Sequence, residues 1–176
     1  MSEIATYTKK MFDPVHPEPE KIDVVDIAHS LSLLCRANGH FPTFYSVGQH
    51  CINCAREAIA RNYSRRVQLA CLLHDASEAY LSDVTRPVKA ELPRYLEIEE
   101  PLQKTIWDKY IQPALTEEEI RQVFLVDDEI LYKEFAALMG MPLISREPDL
   151  KSNPRLDFAG FRETENQYIA LFEELK

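Results

Sequence analysis

From Ile22 onward, apolar residues recur every three and four positions. Val24, Ile27, Ala28, Leu31, Leu34 and Cys35 share one side of a 3.6-residue repeat, and Asn38-Gly39 supplies a stop. This predicts a first helix over about 22–38. Ser46 followed by Gln49 matches a capping box that opens a second helix and puts His50 in its first turn. Ser64 fits the N-cap of a third, where Val67, Ala70, Cys71 and Leu73 form a nearly continuous apolar stretch ending in His74-Asp75. Leu81 to Pro93 carries two prolines and reads as a loop. Helical period returns from Tyr95 to Tyr110, with Trp107 on the apolar side. Thr116 with Glu119 forms a second capping box, and its helix is expected to run to a C-cap at Gly140. A proline-bearing connection from Met141 to Pro154 then leads to a last helix over about 157–175.

Residues 1–20 carry prolines at 14, 17 and 19 and no sustained period, so they are expected to form an irregular or short-strand segment. The outline is all-α: one domain, a bundle of about six helices, with its core over about 22–140. A length of 176 residues suits a single core. Only four glycines occur, against a usual share of roughly 7%, which favours long helices over many tight turns.

Charge narrows the partners. A net charge of −9 argues against a nucleic-acid polymer, whose binders display clustered Lys and Arg, but leaves room for a small anion in a locally basic pocket. No stretch approaches the ~18 apolar residues of a membrane span, and the first twenty residues lack an apolar export signal. The expectation is a cytoplasmic protein whose four cysteines, Cys35, Cys51, Cys54 and Cys71, stay reduced. Cys51 and Cys54 form a CxxC with no second ligand pair, and read as small core residues.

The chemistry concentrates at LACLLHDASE. An Asp directly after a His at the end of an apolar segment needs a partner, and a bound cation supplies one. His74 and Asp75 are about 100° apart on a helix, and Glu78 follows at i+4 and i+3, so the three project toward one side. A catalytic metal site needs a few N and O donors plus open positions, which makes His50 the natural further ligand, with a carboxylate to come from farther along.

SVGQH at 46–50, LLHDASE at 72–78 and VFLVD at 123–127 together resemble the signature of the HD-domain metal-dependent phosphohydrolases: one His, then a His-Asp pair, then a distant Asp. The resemblance covers roughly residues 22–135 and is nearest to the bacterial 5′-deoxynucleotidase-like branch, in which HDASE is followed by an Asp and a Pro-Val-Lys, here Asp83 and Pro87-Val88-Lys89. It implies the HD-domain helical fold and a metal held by His50, His74, Asp75 and Asp127, the last preferred by spacing over its neighbour Asp128. It also implies that Glu78 handles the nucleophilic water and that Arg36 grips phosphate. Asp83 would orient water, contact a sugar hydroxyl or protonate the leaving oxygen, and Lys89 and Arg86 would offset phosphate charge unless they are solvated surface residues.

The reaction expected is hydrolysis of a nucleotide phosphomonoester, a deoxynucleoside 5′-monophosphate by resemblance. The alternatives are hydrolysis of a nucleoside triphosphate or of guanosine tetraphosphate, or a catalytically silent metal-bound nucleotide sensor. No His follows His74, which argues against the two-metal members of the superfamily. Two His and two Asp with open positions suit one Mn²⁺, Co²⁺, Fe²⁺, Ni²⁺ or Zn²⁺. Similar enzymes are typically homodimers, although no interface pattern is legible here. His29 and His40 occupy places where ordinary histidines are common, and Glu117 to Glu119 only complement a helix N-terminus.

Overall fold

A computed structural model describes residues 3–176 and is mostly helical; residues 1 and 2 of the predicted N-terminal segment lie outside the described residues. Six helices of nine residues or more build the body: α1 (Val24–Leu33), α2 (Val47–Ala60), α3 (Arg65–Leu73), α6 (Pro93–Tyr110), α7 (Glu117–Met139) and α8 (Phe161–Leu175). Two single-turn helices, α4 (Glu78–Leu81) and α5 (Arg86–Lys89), lie between α3 and α6. A short antiparallel hairpin, β1 (Ile4–Ala5) with β2 (Met11–Phe12), precedes them. It is held by the fully buried Phe12 and by Asp26 of α1, which accepts from the Thr8 amide at 2.6 Å. None of the described helices is long and apolar enough to cross a membrane.

The antiparallel pair α2–α3 is the centre, and α1, α7 and α8 pack around it. Val47, Cys51, Cys54, Ala55 and Ala58 of α2 meet Val67, Ala70, Cys71 and Leu72 of α3 in one apolar cluster, completed by Ile27, Leu31, Ile130 and Tyr168. Each large side chain so buried contributes about 1.5–3 kcal/mol. Small residues let the helices approach closely. At Gly48 an added Cβ would stand 3.2 Å from the Leu31 carbonyl and the Ser32 amide, so α1 and α2 touch backbone to backbone two residues before His50.

The capping signals acted as the residues suggest, with one exception. Ser64 accepts from the Val67 amide, Thr116 and Glu119 form a reciprocal box, and Gly140 ends α7 at φ +64°. Ser46 Oγ accepts from the Gln49 amide at 3.1 Å, but the Gln49 side chain does not reach back: its Nε2 donates to the carbonyls of Arg155 and Asp157.

Other boundaries differ from expectation because tertiary partners claimed the backbone. α1 stops at Leu33 rather than about 38: Leu34 and Cys35 turn extended, with the Arg36 amide donating to Tyr45 O at 2.8 Å and Val47 N to Leu34 O at 3.0 Å. Arg36 to Gly39 then form a separate 3-10 turn. The predicted 81–93 loop contains the last residue of α4 and all of α5. α3 ends at Leu73, so His74 and Asp75 sit on a turn and Glu78 begins α4, rather than all three riding one helix. The last helix starts at Phe161, not 157. The chain before it is held by Glu57, which accepts from the amides of Lys151 and Ser152 at 2.9 and 2.8 Å, and by Asn53, which accepts from the Arg155 amide.

A candidate metal centre

α2 delivers His50, the turn after α3 delivers His74 and Asp75, and α7 delivers Asp127 to one point. His50 Nε2 lies 3.3 Å from His74 Nε2, 3.0 Å from Asp127 Oδ1 and 4.0 Å from Asp75 Oδ2. His74 Nε2 lies 3.2 Å from Asp75 Oδ2 and 3.6 Å from Asp127 Oδ1. Donors bound to one ion at ~2.0–2.2 Å are spaced about this far apart. Asp127, buried, turns its carboxylate to the histidines, whereas Asp128 is half exposed and pairs with Arg86.

The outer nitrogens decide what the inner ones can do. His74 Nδ1 donates to the carbonyl of Cys71 at 2.8 Å, an oxygen that can only accept. His50 Nδ1 donates to Glu134 Oε1 at 2.7 Å, and Glu134 is fully buried. Burial opposes the charge on Glu134, but His50 and Arg36 outweigh it and hold the carboxyl below its ordinary range. Both Nε2 atoms are thereby left as lone pairs facing two carboxylates. So many electron-rich atoms in one place need positive charge at their centre. Without a cation the site answers with a proton: burial disfavours an imidazolium at His74, yet Asp75 and the surrounding groups raise its pKa well above the usual value. Burial likewise works against Asp75, and His74 and Arg36 overcome it to keep the carboxylate ionised.

Sulfur lies under this cluster. Cys54 Sγ is 3.5 Å from His50 Nε2, and the groupings His50–Cys54–His74 and Cys51–His74–Asp75 each bring three potential ligand atoms within 4.8 Å. Cys51 and Cys54, expected from the sequence as core residues, are core residues and also reach the histidines. Burial pushes the Cys51 thiol up to about 11 and that of Cys54 well above its normal value, so as free thiols they are poorer ligands than the His and Asp atoms.

The remaining candidates ring the centre. Arg36 lies on its own 3-10 turn rather than at the end of α1, with Nη1 3.3 Å from Asp75 Oδ2, Nη2 3.6 Å from Asp127 Oδ1 and Nε 3.4 Å from Glu134 Oε2. Its neighbours Ala37 and Asn38 take φ near +50°, and Ser82, just before Asp83, takes φ +78°. Such conformations cost non-glycine residues roughly 1–3 kcal/mol and cluster at functional sites. Glu78 is buried with Oε2 bonded to nothing among the described residues, while Lys89 Nζ lies 3.5 Å from Oε1 and 2.6 Å from Glu99. Burial, reinforced by Asp75 and Asp83, raises the Glu78 pKa well above the carboxylate range, and burial raises that of Asp83. Arg36, Asp75, Glu78, Asp83, Lys89 and Asp127 share a cavity of about 410 Å³. Arg86 reaches over it, with Nη2 2.5 Å from Asp127 Oδ2 and Nη1 2.5 Å from Asp128 Oδ1.

His29 and His40 stand elsewhere. His29 stacks on Tyr7 with ring centroids 3.6 Å apart and faces Glu165, and His40 is exposed. Two site residues escaped the sequence reading. Glu134 follows Asp127 by seven residues, two turns along the same face of α7, which is the signal that would have found it. Tyr45, whose hydroxyl donates to Glu134 Oε1 at 2.8 Å, lies in a loop with no such period.

No family model matches the chain. It is 32% identical over 127 residues to the uncharacterized protein RCAP_rcc00048 of Rhodobacter capsulatus, an alignment covering 69% of this chain and 64% of the relative. It is 35% identical over 126 residues to the uncharacterized protein YfdR of Escherichia coli K12, covering 72% of this chain and 68% of that protein. With that identity over more than two thirds of both sequences, the chain belongs to the family of YfdR.

Proposed function

We propose that the chain is a metal-dependent phosphohydrolase of the HD type that cleaves the phosphomonoester of a small nucleotide, with a deoxynucleoside 5′-monophosphate as its substrate class. The observation that carries this reading is the convergence of His50, His74, Asp75 and Asp127 beside a cavity that also holds three cationic side chains and two carboxyls with raised pKa. A cluster that served only to bind a cation has no need of Glu78 and Asp83.

The four side chains would hold one divalent ion of the Mn²⁺, Co²⁺, Fe²⁺, Ni²⁺ or Zn²⁺ class, which fits imidazole and carboxylate donors better than Mg²⁺ does. When bound, such an ion supplies Lewis acidity and makes water a nucleophile near neutral pH. Arg36 and Lys89, both at the cavity wall, bind and orient the anionic phosphoryl oxygens. Glu78 takes the proton of the attacking water through Oε2, which no protein donor occupies among the described residues. As the bond from phosphorus to the ester oxygen breaks, Asp83 gives a proton to that oxygen. A raised pKa makes such a carboxyl a stronger base when ionised and lets it hold a proton to give when neutral.

The test is a screen of chelator-stripped protein, resupplied with Mn²⁺ or Co²⁺, against nucleoside mono-, di- and triphosphates, with Asp75→Ala alongside. Metal-dependent phosphate release from monophosphates, lost in the variant, is the expected result. Pyrophosphate release from triphosphates moves the substrate assignment, and metal binding without turnover of any phosphoester replaces the enzyme reading with a sensor.

A further inference from the structure

A second cavity, of about 660 Å³, adjoins the metal centre and shares His74, Asp75, Arg86, Lys89 and Asp127 with it or with its smaller neighbour. It exists because α6 and α7 splay apart and touch little along their lengths. Away from the centre its apolar wall is made by Leu96, Trp107, Ile111, Leu115, Ile120 and Phe124, and its polar edge by Glu99, Glu100, Gln103, Lys104 and Asp108. Phe124 stands 53% exposed, an aromatic side chain only half covered by the protein. The Trp107 Nε1–H is buried and has no acceptor among the described residues. Gln103, the neighbouring amide, is engaged elsewhere: its oxygen accepts from the Ser77 amide and its nitrogen donates to Leu73 O.

We propose that this α6–α7 cavity is the subsite for the leaving group, and that its occupant is a flat aromatic or heterocyclic group carrying hydrogen-bond acceptors, with a nucleobase as the fitting chemistry. The inference rests on the phosphohydrolase reading for the position of the phosphate, and adds where the organic part goes and what it must be. The volume lies within the roughly 300–1,000 Å³ that small organic ligands fill, far beyond what phosphate alone needs. Aromatic walls suit a planar ring, and rings paired face to face or edge to face gain beyond their buried area. A buried N–H without an acceptor costs free energy until something supplies one, which an aliphatic chain cannot do and a ring nitrogen or carbonyl can. A short polyol phosphate would leave the apolar walls bare.

Trp107 is the one tryptophan in the chain, so intrinsic tryptophan fluorescence reports from the wall of this cavity. The experiment titrates the metal-loaded protein with a nucleoside 5′-monophosphate, the free nucleoside, glycerol phosphate and inorganic phosphate. A saturable change with the first two and a flat response with the last two is expected. Trp107→Phe, which keeps an aromatic ring and removes only the donor, should weaken nucleoside binding by equilibrium dialysis about 3–10-fold while leaving phosphate binding unchanged. A flat response to the nucleoside, a response to phosphate alone, or full nucleoside affinity in Trp107→Phe overturns the assignment. The two readings fail separately. Nucleoside titration of Trp107 in a protein that hydrolyses nothing removes the hydrolase and leaves the subsite; turnover of monophosphates with a silent Trp107 does the reverse.

Discussion

Glu134 Oε1 lies 2.7 Å from Nδ1 of His50, and both side chains are fully buried. The pair connects α7 to α2 and fixes which imidazole nitrogen faces the centre. A carboxylate behind a ligating histidine orients the ring and raises its basicity. Glu134→Gln keeps the shape but loses the charge, and its amide can present an N–H to Nδ1 and invert the tautomer. Metal affinity should fall about 10–100-fold. Titration of the stripped protein with Co²⁺, followed by its visible absorption, measures this, and unchanged affinity would mean that the packing around His50 orients the ring without the carboxylate.

Gly48→Ala tests the closest helix approach. The new Cβ meets backbone atoms of Leu31 and Ser32 at 3.2 Å, and backbone cannot rotate out of the way. Overpacking of this kind costs about 1–3 kcal/mol. Thermal unfolding should shift down by several degrees, and His50, two residues on, should lose metal affinity as α2 moves.

Glu78 carries a signed pH prediction for the metal-free protein. Its folded pKa is raised, chiefly by burial and then by Asp75 and Asp83. Below about pH 4 the carboxyl is neutral in both folded and unfolded chains and costs nothing. Above that the unfolded chain ionises first, so the penalty on folding grows as pH rises toward the folded pKa. Glu78→Gln should therefore raise the melting temperature of the stripped protein near pH 7, with the gain fading toward pH 4. Melting temperatures of both proteins across that range decide it, and an equal gain at both ends refutes the assignment of the penalty to ionisation.

Glu57 anchors the segment that leads into α8. Its carboxylate accepts from the amides of Lys151 and Ser152 and from Arg61, and its pKa is lowered against the effect of burial. Glu57→Ala leaves two amides unpaired and should cost about 2–4 kcal/mol. Limited proteolysis should then cut first near residues 149–158, with α2 and α3 still protected from hydrogen exchange.

Much of this molecule is legible in one dimension. The helices are: the period through Ile27 and Leu31, the caps at Ser64 and Thr116, and the left-handed Gly140 are local matters of side-chain spacing and backbone geometry. His74 and Asp75 stand out because ionisable residues at the end of an apolar segment need a partner, a demand visible in the sequence before the partner is known; Glu78 follows from their spacing, His50 as the further imidazole such a site needs, and Asp127 only from the resemblance to the HD signature. What only the tertiary structure decided are the things that depend on who competes for a group. The Gln49 amide could cap its own helix or hold Arg155 and Asp157, and packing chose the second. Leu34 to Arg36 could continue α1 or pair with Tyr45 to Val47, and pairing turned Arg36 inward. Glu134 and Tyr45 join the centre through contacts across 84 and 89 residues, and the cavity beside Trp107 arises only where α6 and α7 touch little. Local hydrogen bonds and periodicity are written residue by residue. Shared partners and empty space belong to the arrangement of the whole chain.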